Sequence, residues 1–254
     1  MSIYAVNGKE PVAAWIPSLD TSGNGTTTLT DLVGSYNGTL TNMDAATDWV
    51  ADTDAGGVRA LDFDGSNDLV TISGINSIFG GLANASISMW SKKTGSYSLL
   101  GFGENQSSRF NIVWDGTLVY FQVENGGASY PNITLNSTAW NHIVMSFDGS
   151  LVGLARVAVY INGTSRTLTS GGASPAATLA NAANLGDFVL GATNADSRHT
   201  TGRHDDIRLF SASLDLSDAQ YLYNSGTGRG IVAASGAPAV NAQHNNMRNI
   251  RMAP

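Results

Sequence analysis

Apolar residues recur at every second position along this chain, in segment after segment, and this period constrains the fold more than any other feature. Val157, Val159 and Ile161 fall on one side of an extended chain, with Ala158, Tyr160 and Asn162 on the other. Ile87 and Met89 oppose Ser86, Ser88 and Trp90, and Ile143, Met145 and Phe147 alternate with His142, Val144 and Ser146. Strict alternation marks sheets buried on one face, so it predicts two antiparallel sheets sharing an apolar interior.

The turn chemistry agrees. Asp115-Gly116 separates Phe110–Trp114 from Thr117–Val123, and Asn162-Gly163 follows Val157–Ile161. Both dipeptides tolerate the positive φ of tight hairpins. Asp64-Gly65 predicts a third hairpin between Val58–Phe63 and Leu69–Ser73. One helix is expected, over Leu216–Tyr223, with Ser217 as cap and Gln220 reaching back in a capping-box spacing. Residues 18–54 form a polar excursion after a first strand around Val12–Ile16, and no internal repeat of the solenoid kind is present. The fold class read from this pattern is all-β, a two-sheet sandwich over residues 1–230, followed by an extended low-complexity tail, 231–254.

Composition narrows the function. The net charge is −7, against the basic footprint that nucleic acid requires. Lys9, Lys92 and Lys93 are the only lysines, so a polybasic membrane patch is equally excluded. Cysteine is absent, so no disulfide staples the core. Met1–Glu10 lacks the features of a secretory signal, and no apolar run reaches membrane-spanning length.

A set of ordered pieces resembles the laminin-G-like, concanavalin A-like jelly roll. They are Ala14-Trp15, Asp31–Gly34, Asn37–Leu40, Ala60–Asp68, Ile87–Trp90, Trp140–Val144, Val159–Gly163 and His204–Phe210, leading into the helix and Tyr223–Gly226. The resemblance covers Val12 to Gly230 and implies a jelly roll that recognises glycans, glycoconjugates or proteins. It places Trp15 and Trp140 in structural roles. It also implies a structural calcium held by an aspartate entering the last strand, which is Asp205 here, and by backbone oxygens near the N-terminus. By alternation Asp205 shares a face with Ile207 and Leu209, and a carboxylate aimed inward needs a cation or several donors.

Glucanases of this sandwich carry an E-x-D-x-x-E strand motif, and none of Glu10, Glu104 and Glu124 begins one. There is no cysteine nucleophile and no G-x-S-x-G elbow, so the chain reads as non-catalytic. Among the histidines, His142 reads as structural, and His199 with His204 lacks the further ligands of a zinc site. Asp62–Asp68 reads as turn chemistry, with Asp68 bonding its own loop, and the N-x-[ST] triplets at Asn37, Asn84, Asn132 and Asn162 read as chance.

Sugar recognition would use aromatic rings flanked by amides and carboxylates. The candidates are Trp114, expected at an exposed sandwich edge, with Tyr97, Tyr120, Tyr130 and Trp90. The leading expectation is therefore an adhesion module on a particle or extracellular surface, compatible with oligomer formation. A structural virion decoration or fibre protein of a bacterial virus is the alternative, with Arg248 and Arg251 anchoring the tail to neighbouring capsid or tail subunits. A glycoside hydrolase or polysaccharide lyase ranks third.

Overall fold

The structure, a computed structural model, describes residues 4–20, 27–51, 59–103, 107–192 and 198–226. The tail with Arg248 and Arg251 lies outside the described residues.

In chain order the strands are β1 (Ala13–Trp15), β2 (Thr28–Leu29), β3 (Gly38–Thr41), β4 (Trp49–Val50), β5 (Ala60–Asp64), β6 (Leu69–Ile72), β7 (Asn84–Lys93) and β8 (Tyr97–Phe102). They continue as β9 (Phe110–Asp115), β10 (Leu118–Val123), β11 (Asn132–Thr134), β12 (Asn141–Asp148), β13 (Val157–Ile161), β14 (Thr164–Arg166), β15 (Phe188–Leu190) and β16 (Thr201–Phe210). One sheet runs β14-β13-β12-β7-β16-β5-β4, with β1 also on β16; the other runs β11-β10-β9-β8-β15-β6-β3-β2. All pairings are antiparallel, as the alternation required.

The residues assigned inward from their period meet in one core. Ile87, Met89, Ile143, Met145, Val157 and Val159 from the first sheet pack with Ile112, Phe121, Phe102 and Phe188 from the second. Trp15 ties the sheets together: its ring stacks on Phe188 at 5.7 Å and its indole N–H donates to the Tyr36 carbonyl at 2.9 Å. Truncating a core ring of this kind to alanine costs about 3–5 kcal/mol.

Several local expectations need correction. The Asp64-Gly65 turn joins no hairpin, because β5 pairs with β16 and β4 while β6 pairs with β15 and β3; the chain crosses there from one sheet to the other. Asp115 pairs with Leu118, so the tight turn is Gly116-Thr117, one residue later than predicted. The stretch read as a polar excursion carries the short strands β2, β3 and β4.

Three short helices are present among the described residues instead of one: α1 (Asn76–Phe79), α2 (Ala182–Leu185) and α3 (Leu216–Tyr223). The cap of α3 is Asp215, whose carboxylate accepts from Asp218 N–H while Asp218 accepts from Asp215 N–H. An aspartate pair thus does the work expected of Ser217 and Gln220, because the capping box stands two residues earlier. Asn162-Gly163 forms the expected hairpin, both residues at positive φ (52° and 69°).

The outer faces of the two sheets differ. On the first, Val144, Tyr160 and Phe210 lie under Leu214, Ala219 and Leu222 and the N-terminal Val6, so α3 and the N-terminal segment cover it. The central strands of the second sheet have no such helix over them among the described residues.

Candidate functional site: the outer face of the second sheet

Alternation along β8, β9 and β10 sets the site. Phe110, Ile112 and Trp114 point into the core, as do Val119, Phe121 and Val123. Their neighbours in sequence must then point outward. Register places these outward residues in rows: Tyr97 beside Asp115 and Leu118, Leu99 beside Val113 and Tyr120, and Gly101 beside Asn111 and Gln122.

A groove of about 290 Å³ lies on this face, lined by Val113, Asp115, Tyr120, Gln122, Tyr130 and Arg198. Tyr130 is its most open ring, 40% exposed, and reaches the sheet from the segment before β11. Its backbone N–H donates to Gly171 O at 2.9 Å. The ring lies against Gly171 and Gly172, where an added Cβ would come within 2.7–2.8 Å of its carbons, so a side chain at either position would dislodge it. Arg198 comes from the loop before β16. Its guanidinium sits 5.5 Å from the Tyr97 ring centroid and 3.9 Å from an Asp115 carboxylate oxygen.

Three of the five aromatics expected from sequence, Tyr97, Tyr120 and Tyr130, therefore meet on one face. Trp114 and Trp90 do not join them. Trp114 is fully buried because it shares the inward face of β9 with Ile112, and Lys93 Nζ lies 5.6 Å from its ring centroid. Trp90 does point outward, but from the covered sheet, where it packs with Trp140 and stacks on Tyr223 of α3 at 5.8 Å. Neither ring is open to a ligand.

At the far end of the same face the polar residues are buried. Asn111 is 1% exposed and Glu124 is fully buried. Glu124 Oε1 accepts from Ser129 N–H at 3.0 Å, and Arg109 lies 3.8 Å from Oε2. Burial pushes the Glu124 carboxyl up from its ordinary range, opposed by Arg109 and by the Ser129 N–H. Both amide atoms of Asn111, Glu124 Oε2 and Ser129 Oγ find no hydrogen-bond partner among the described residues. Such groups cost about 1–3 kcal/mol each when left unpaired.

The two acids of this face are far apart. Glu124 lies six residues beyond Leu118, the partner of Asp115, which at about 3.3 Å per residue separates them by roughly 20 Å. Glycosidase carboxyl pairs stand about 5–9.5 Å apart.

Asp205 requires a correction. It pairs with Trp90, while Arg208 pairs with Ser88, so β16 has an extra residue opposite Met89. This bulge at Asp206 (φ 43°) breaks the alternation and turns Asp205 to the side of Trp90, away from Ile207 and Leu209. Asp205 Oδ1 accepts from Asp206 N–H at 2.8 Å. Among the described residues no three His, Cys, Asp or Glu side chains gather as a metal site, so a calcium at Asp205 would draw most of its ligands from backbone oxygens.

His142 and His204 are structural, as buried imidazoles bonded through Nε2 to Ser88 and Ser98 at 3.0 and 2.9 Å. Asp68 accepts from the Asp64 N–H of its own loop at 2.9 Å.

The contribution of Arg198 was not legible in the sequence, since a loop about eighty residues downstream delivers it. Gln122 and Asn111 carried a signal in the alternation itself, being the polar residues opposite inward apolar ones.

Comparison with known proteins fits this geometry. The family model described as the concanavalin A-like lectin/glucanases superfamily, of the laminin G type, matches residues 64–220. The chain belongs to that superfamily.

No curated protein sequence matches it. Among solved structures, this concanavalin A-like chain is similar to the receptor-binding domain of botulinum neurotoxin type G, with 14% identity and a TM-score of 0.54 over 85% of the chain and 51% of the toxin domain. It is similar to domain 4 of AbnA, an extracellular arabinanase of Geobacillus stearothermophilus, in complex with arabinotriose: 15% identity, TM-score 0.50, 84% of this chain and 98% of that one. A Trypanosoma rangeli sialidase aligns at 11% identity and a TM-score of 0.55, over 83% of this chain and 32% of the enzyme. The concanavalin A-like chain thus spans about half of the toxin domain and a third of the sialidase. At these identities the likeness is one of fold. No helix among the described residues is long and apolar enough to cross a membrane.

Proposed function

We propose that this chain is a non-catalytic carbohydrate-binding module whose ligand lies on the outer face of β8–β10. The observation that carries the reading is the groove itself. It places Tyr120 and Tyr130 beside Asp115, Gln122 and Arg198 on the outer face of the second sheet, away from α3. An aromatic plane receives the apolar side of a sugar ring, and fixed amide, carboxylate and guanidinium groups receive its hydroxyls.

A second groove, about 280 Å³ beside Lys9, Asp148, Arg156 and Tyr160, offers no comparable ring, since Tyr160 is only 8% exposed. Support also comes from the arabinanase domain, a protein of this fold that holds a neutral trisaccharide. The wide separation of Asp115 and Glu124 favours recognition over hydrolysis. Glycan binding of this kind suits an extracellular surface.

A glycan array probed with wild type and with Tyr120→Ala tests the proposal. Specific signals that the substitution removes are expected. Binding that survives Tyr120→Ala, or release of reducing sugar from a bound polysaccharide, contradicts it.

A further inference from the structure

The groove ends at Gln122, and Gln122 has a second role. Its amide Nε2 reaches Glu124 Oε1 at 3.5 Å, the outer limit of a hydrogen bond, so it forms a weak wall between the open groove and the buried polar end of the same face. Behind that wall Asn111 stands directly across from Gln122, two residues along β9 from the groove-lining Val113. On the other side of Asn111 the β8 residue is Gly101, where a Cβ would come within 2.3 Å of the Asn111 Cβ. Asn111 occupies the space that a side chain there would take.

We propose, building on the carbohydrate-binding reading above, that Asn111, Gln122 and Glu124 form an inner subsite of the groove that takes the hydroxyls of an uncharged sugar unit adjoining the one against Tyr120 and Tyr130. The chemistry of the orphaned atoms selects this occupant. Asn111 presents one donor and one acceptor, Glu124 Oε2 an acceptor, and Ser129 Oγ both. A partner that donates and accepts satisfies them all, as a sugar hydroxyl does and as the water it would displace does. A cation would satisfy the oxygens but would face Asn111 Nδ2 and lie near Arg109, which is 3.8 Å from Glu124 Oε2. An anionic sugar would bring its charge against the Glu124 carboxylate. Entry needs a change of the Gln122 rotamer, which gives up the 3.5 Å contact to Glu124. Side-chain rotamers of this kind interconvert rapidly.

Titration calorimetry with arabinose and arabinotriose, mannose and mannotriose, glucose and cellotriose, and trigalacturonate as the anionic comparison, tests the subsite. In wild type a neutral trisaccharide is expected to bind more tightly than its monosaccharide and than trigalacturonate. Asn111→Leu, which keeps the volume and removes the polar atoms, is expected to lower trisaccharide affinity at least tenfold and leave the monosaccharide unchanged. Asn111→Ser carries the same comparison should the leucine variant fail to fold. Trisaccharide affinity unchanged in these variants, or tighter binding of trigalacturonate, overturns the subsite while leaving the groove intact. If Tyr120→Ala has no effect, or wild type binds none of the sugars, the groove reading falls and the subsite with it.

Discussion

Arg198 lies over the ring of Tyr97, its guanidinium 5.5 Å from the ring centroid, and also faces Asp115 at 3.9 Å. The arginine rests on a ring below and a solvent-exposed carboxylate beside it, at one edge of the groove. An exposed pair of this type adds little to folding. Arg198→Ala is therefore expected to weaken glycan binding about three- to tenfold, while folding stability moves by no more than the roughly ±0.5 kcal/mol typical of surface substitutions. Calorimetric binding and thermal melts on the same variant check both halves.

Under the covered sheet, Arg208 and Asp206 form a two-toothed ion pair, Nε to Oδ1 at 2.6 Å and Nη2 to Oδ2 at 2.9 Å, with Arg208 only 1% exposed. Removing one partner strands a buried charge. Arg208→Met is expected to lose about 3–5 kcal/mol in urea unfolding. A loss below about 1 kcal/mol would show that water reaches the pair.

Acid sensitivity follows from two buried imidazoles. Burial pulls His142 and His204 down to about 3 from an ordinary 6.5. The unfolded chain then binds protons that the folded chain refuses, so stability is complete above pH 6.5 and falls as pH drops toward 3. Each histidine contributes a slope of up to about 1.4 kcal/mol per pH unit in that window. In urea unfolding between pH 7 and pH 4, His204→Gln should lower the slope by one proton; an unchanged slope would mean that His204 is not held neutral.

Asp205 caps the Asp206 N–H at the β16 bulge, and among the described residues it belongs to no group of three His, Cys, Asp or Glu side chains. Asp205→Asn keeps an acceptor there, so it is expected to leave Tm within a few degrees of wild type. The same melt should be indifferent to millimolar calcium or to chelator. A calcium-dependent rise in Tm that Asp205→Asn removes would establish a metal there.

The parts of this fold that were legible in the sequence are those governed by local rules. The faces of Val157–Ile161 and Ile87–Trp90, the Asn162-Gly163 turn and the helix at Leu216–Tyr223 follow from period and φ preference alone. Trp114 was misplaced because its neighbouring turn suggested an edge, whereas its register with Val119 fixes it inward. Asp205 was misplaced because a bulge adds one residue to a strand and reverses every face beyond it. Nothing in the local sequence of Asp64-Gly65 distinguishes a hairpin from a crossing between sheets, which depends on partners far along the chain. The site was half visible: Tyr97, Tyr120 and Tyr130 were chosen as aromatics, but their convergence with Arg198 is a property of the packed sheet and its loops.

The most direct test of the account is to locate a bound sugar. Amide chemical shifts of isotope-labelled protein, followed as the best-binding oligosaccharide of the panel is added, should move at Val113, Asp115, Tyr120 and Gln122 and stay fixed around Lys9, Tyr160 and Tyr223. Shifts concentrated on the Lys9–Tyr160 side, with β9 and β10 unmoved, would contradict it.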